Sequence, residues 1–99
     1  SYTAILALND APIIYDDLES ISHLRVGTMP NSIWLNDFAV FMQHRGAAMP
    51  TMIEYPGRQE LRAAMRSGQV DAILETVLSL EANEKILAKC KLTKYYYIC

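Results

Sequence analysis

From His23 onward the chain alternates short β-prone runs with helix-length amphipathic segments, and this alternation constrains its fold more than any other feature. His23-Leu24-Arg25-Val26-Gly27 reads as a strand. Pro30-Asn31-Ser32 then opens a helix expected to run to about Arg45, with Asn31 or Ser32 capping its free backbone N–H groups. At about 100° per residue, Leu35, Phe38, Ala39 and Met42 share one helix face, flanked by Trp34 and Phe41. Thr51 to Tyr55 is the next strand, broken by Pro56-Gly57, and Arg58 to Ser67 forms a helix that buries Leu61, Ala64 and Met65. That helix stops at Gly68, because glycine takes the left-handed conformation without a Cβ penalty. Val70-Asp71-Ala72-Ile73-Leu74 follows as a nearly continuous apolar strand, the pattern of a sheet with both faces covered. A third longer helix is expected from Thr76 to about Asn83.

The two ends carry weaker signals. Tyr2 to Leu8 is a β-prone run halted by Asn9-Asp10-Ala11-Pro12, Ile13 to Tyr15 is extended, and Asp16 to Ile21 makes one helical turn. Ile86 to Leu92 and Lys94 to Cys99 are strand-like. The expected class is α/β: a doubly wound, mainly parallel sheet with right-handed crossovers and helices on both faces. Its 99 residues suffice for one domain with one modest core.

Charge and composition narrow the function. A formal net charge of -2 supplies no clustered Lys and Arg for phosphodiester backbones, so nucleic acid is not an expected partner. The longest apolar stretch, Ile33 to Met42, is interrupted by Asn36 and Asp37 and falls well short of the roughly 20 residues that span a bilayer. Ser1 to Leu8 lacks the basic start and cleavage site of a signal peptide. Cys90 and Cys99 can pair in an oxidising compartment or stay free, so redox location is open. His23 and His44 belong to no spaced set of metal ligands, and no nucleophile motif or phosphate loop occurs; neither a metal, a cofactor nor catalysis is expected.

Ligands of open α/β sheets bind beyond the carboxyl ends of parallel strands. Three places meet that rule: Thr28 to Ser32, Tyr55 to Gly57, and Glu75-Thr76. The first opens a helix, whose unpaired N–H groups and about half a positive charge suit an anion, with Ser32 adding a hydroxyl donor and Asn31 as cap. Capping alone also accounts for Asn31, Ser32 and Thr76. Asp71 lies at the start of its strand, away from this edge, and reads as structural. Tyr95, Tyr96 and Tyr97 cannot line one surface, since strand residues alternate faces. Trp34 and Phe41 serve either as core or as a flank for another subunit, so a homodimer is among the expected partners.

The ordered set Asp17-Leu18, Arg25-Val26-Gly27, Asn31-Ser32-Ile33, Leu61 to Met65, Ser67-Gly68 and Val70-Asp71-Ala72 resembles the second lobe of the type II periplasmic solute-binding proteins. The likeness covers nearly the entire chain, and Ser67 to Ala72 is its most specific block. It implies that residues 1–99 are one lobe, that residues 2–8 and 95–99 are the strands crossing to a first lobe, and that a small solute is held between the two. Ligand contacts would then fall at Thr28, Asn31, Ser32, Ile33, Glu75 and Thr76.

Asn31 and Ile33 replace the family's glycine and threonine, and Thr76 stands where amino-acid receptors carry an aspartate for the α-ammonium group. An α-amino acid is therefore one ligand among several small polar or anionic solutes. The resemblance implies a place in the periplasm or on the outer face of the cytoplasmic membrane, serving a membrane transporter or a signalling protein as its sensor region. The same architecture occurs in the effector domains of cytoplasmic LysR-type regulators, the alternative expectation, and in prephenate or arogenate dehydratases.

Overall fold

In a computed structural model that describes residues 3–7, 18–76, 91–92 and 97–98, four strands form the main sheet. They are β1 (Thr3–Ala7), β2 (Arg25–Thr28), β3 (Thr51–Glu54) and β4 (Ala72–Thr76), side by side in the order β1-β4-β2-β3. β2 runs parallel to both β3 and β4, whereas β1 closes one edge antiparallel to β4. The protein is thus a small α/β domain built on three parallel strands. Lys91–Leu92 (β5) and Tyr97–Ile98 (β6) make a separate antiparallel pair, and β6 runs close to β1.

The helices are α1 (Leu18–Ser22), α2 (Ile33–His44) and α3 (Arg58–Arg66). The path from β2 to β3 and the path from β3 to β4 cross the sheet in opposite directions, so crossovers of one hand place α2 and α3 on opposite faces. Side-chain alternation agrees. Val26 and Leu74 join Ile5, Ile21, Phe38 and Met42 in the core beneath α1 and α2. Gly27 and Ile73 face the other way, toward Leu61 of α3; a Cβ on Gly27 would stand 2.8 Å from Leu61 Cδ1 and 3.3 Å from Ile73 Cγ2. A side chain at Gly27 would force the Leu61 side chain to shift, so glycine fits α3 against β2 as it stands.

Both long helices end alike. The Gly46 N–H donates to Gln43 O (3.1 Å) and the Ala47 N–H to Met42 O (2.9 Å) after α2. The Gly68 N–H donates to Met65 O (3.2 Å) and the Gln69 N–H to Ala64 O (2.9 Å) after α3. Each pair closes a Schellman turn, which requires positive φ; Gly46 and Gly68 supply 68° and 80°.

Several boundaries differ from the sequence expectation. β2 begins at Arg25, because His23 and Leu24 complete a turn in which the Leu24 N–H donates to Ile21 O. Tyr55 lies just beyond β3, and Ser67 caps α3 instead of extending it. The strand expected from Val70 to Leu74 begins at Ala72 and runs on to Thr76, since pairing with β1 continues to Thr3 opposite Thr76. Glu75 and Thr76 therefore belong to a strand and not to a loop. The helix expected after Thr76, the extended piece 13–15, Cys90, Cys99, Tyr95 and Tyr96 lie outside the described residues.

Candidate functional site at the carboxyl rim of the parallel strands

Because β2, β3 and β4 are parallel, Thr28, Glu54 and Thr76 all end at one edge of the sheet. The edge is stepped. Gly27 is level with Ile73, so Glu75 and Thr76 project past the end of β2.

On the α2 side, Thr28 is buried, and its hydroxyl lies 3.4 Å from Met29 O. Asn31 is exposed with φ 56°, in the left-handed region that asparagine tolerates better than most residues with a Cβ. Ser32 is the helix cap: its Oγ accepts the Trp34 N–H at 3.2 Å, and its carbonyl accepts the Leu35 N–H at 3.2 Å. The expectation of Asn31 as cap is thus corrected, because its backbone has already turned left-handed and Ser32 alone stands at the extended cap position. Ile33 is 67% exposed, the most open of the large apolar side chains among the described residues.

Glu75 points the other way, beneath α3. It is 2% exposed, and both carboxylate oxygens face guanidinium groups: Arg62 Nε donates to Oε1 at 3.0 Å, and Arg58 Nε stands 3.4 Å from Oε2. Burial of a carboxylate is costly unless it is paired and hydrogen-bonded, and α3 meets that cost with two arginines one turn apart. Sequence reading singled out Glu75 but missed both arginines. Their spacing of four on a helix that starts at the rim was the available signal.

The structure thus brings Thr28, Asn31, Ser32 and Ile33 together around the start of α2. It sets Glu75 on the opposite face of the sheet, at the same rim. Thr76 ends β4 opposite Thr3. In the expected segment Tyr55 to Gly57, the Tyr55 hydroxyl is spent on Gln69, donating to its Oε1 at 3.2 Å.

At the far edge, Asp71 and Arg25 form a second polar cluster. Asp71 Oδ2 accepts the Arg25 backbone N–H (2.9 Å) and Nε (3.3 Å), Oδ1 accepts Arg25 Nη2 (3.1 Å), and Arg25 Nη2 also donates to Gly68 O at 3.1 Å. The side-chain hydrogen bonds from Arg25 hold the Asp71 carboxyl below its ordinary range, against a smaller upward push from burial. The same bonds raise the Arg25 guanidinium. The expected structural role of Asp71 matches this geometry.

Among the described residues, no group of three or more His, Cys, Asp and Glu is placed to hold a metal ion, and no helix is long and apolar enough to cross a membrane. The chemistry available at the rim is hydrogen bonding, charge pairing and apolar contact. Compared with known proteins, the chain matches no protein-family model and no curated protein.

Proposed function

We propose that the chain is the second lobe of a type II solute-binding domain, a doubly wound fold that closes with a first lobe over a small polar or anionic solute. In this reading it works outside the cytoplasm, as a transporter's receptor or as the sensor region of a membrane signalling protein. Binding between the lobes favours the closed arrangement through contacts absent from the open one.

The observation that carries the reading is the convergence of Thr28, Asn31 and Ser32 with the end of β4 on one carboxyl rim. Two further features support it. Asn31 takes a left-handed φ where the family resemblance has glycine, so the loop keeps the backbone shape that glycine would give it. β1 and β6, the segments assigned to the crossing between lobes, run close together.

The test is a thermal-shift screen of the full-length protein against small carboxylates, amino acids and amines. A ligand that binds only the folded state raises the apparent Tm, by about 2.7 kcal/mol of added stability at 100 times Kd. The expected outcome is stabilisation by at least one small polar solute. A flat response across the panel at millimolar concentrations rejects the reading.

A further inference from the structure

The two long helices differ in what they show to solvent. On α3 the apolar side chains Leu61, Ala64 and Met65 are buried, and the exposed positions are mostly polar or charged. α2 is apolar all the way round: Phe38 and Met42 face the core, Trp34 and Phe41 are half-buried on one flank, and Ile33 and Val40 are 67% and 45% exposed. Those last two are among only three exposed large apolar side chains in the described residues. A helix with this pattern is stable when its outer face is covered as well.

The charges on that outer face indicate what covers it. Ile33, Asp37, Val40 and His44 follow one another at spacings of four, three and four, so they lie on a single stripe, and all four are exposed. Asp37 and His44 stand two turns apart, about 10 Å along the axis, and cannot reach each other. Neither side chain has an ion-pair or hydrogen-bond partner among the described residues. A second α2 laid antiparallel, with a twofold axis beside Val40, covers the apolar stripe and sets each Asp37 against the His44 of the other copy. An imidazole N–H donates to a carboxylate in either protonation state. The two Asp37 side chains are then about two turns apart, whereas a parallel pairing would place acid against acid. The stripe is thus self-complementary in the antiparallel sense alone, as a twofold contact requires.

We propose that α2 is a self-pairing surface on which a second copy of this chain docks antiparallel, Val40 against Val40 at the axis and Asp37 against His44 on either side. Apolar contact supplies the affinity, and the charge pairs fix the orientation. One helix pair is a small interface, below about 1,200 Å², so the dimer is reversible and not obligate. The pairing needs no solute, and its success or failure leaves the solute-binding reading where it stands.

The experiment is sedimentation velocity on the full-length protein from micromolar to millimolar concentration, with circular dichroism to show that each variant is folded. The wild type should pass from monomer to dimer across this range. Val40→Glu, Asp37→Lys and His44→Glu should each weaken the dimer about tenfold or more, because each sets like charges face to face. An equimolar mixture of Asp37→Lys and His44→Glu should recover it, since both cross-pairs are then of opposite charge. A wild type that stays monomeric throughout overturns the proposal and leaves the stripe to a different chain. A dimer that survives Val40→Glu overturns it by placing the contact on another surface. A mixture that stays as weak as its two components overturns the antiparallel charge pairing.

Discussion

Asp71 accepts both a backbone N–H and a guanidinium from Arg25, so a single carboxylate joins the start of β2 to the entry of β4. Its folded pKa is depressed, and the stabilisation is therefore present above the unfolded value of about 3.9 and is lost as pH falls through the folded value. Asp71→Asn should lower Tm at pH 7, and the gap from the wild type should shrink as pH drops below about 4. Melting curves across that window check it; a gap that persists unchanged at pH 2 to 3 would show that hydrogen-bond geometry, and not charge, makes the difference. Asp71 was readable from the chain as structural because it opens an apolar strand at the end away from the carboxyl rim. The spacing of Arg58 and Arg62 was readable, but their meeting at Glu75 was not, since it depends on how α3 docks across the sheet beside Gly27.

At the level of elements, α2 shows how much local chemistry decides. Asn31 and Ser32 both stand before an apolar stripe, and of the two it is Ser32 that caps the helix. Ser32→Ala should cost about 1 kcal/mol, and Ser32→Asp should restore most of it, because a carboxylate accepts the same N–H and favours the helix's positive end. Urea unfolding of both variants measures this. If Ala and Asp prove equally stable, the bond to Trp34 contributes nothing. Phe38 and Met42 are buried on the face their spacing predicts, while Leu35, Ala39, Trp34 and Phe41 are half-buried around them, with Arg45 5.3 Å above the Phe41 ring. The helix stops were legible for the same reason: Gly46 and Gly68 carry a conformational demand within a few residues. The bounds of β4 were not, because an antiparallel partner some seventy positions earlier in the chain carries the strand on through Glu75 and Thr76. Hydropathy alone placed that strand two residues too early.

For the whole molecule, strand order sets the distribution of stability. β2 and β4 are bonded on both sides, and β3 forms an edge of the main sheet. Val26, Ala72 and Ile73 on the two central strands are fully buried, whereas β3 contributes only half-buried Met52 and Ile53. Amide exchange in β2 and β4 should therefore be slower than in β3 by roughly tenfold or more, because the edge opens without breaking the core. Exchange followed by NMR tests this; equal rates would mean that the sheet opens only as a unit. The α/β class was legible in the alternation of strand and helix. The antiparallel placement of β1 was not, since a lone apolar run of seven residues carries no direction.

Gly46 and Gly68 both sit where a helix hands the chain back to the next strand, on the side of the sheet opposite Ser32 and Arg58. Any other residue at either point would have to hold a backbone shape that L-amino acids resist, so this side tolerates little editing. The connections 29–31 and 55–56 carry no comparable demand beyond Asn31. Diversity introduced by mutation or by a protein engineer would accumulate there, and under the proposed solute-binding function a new ligand preference would arise without re-solving how the chain folds.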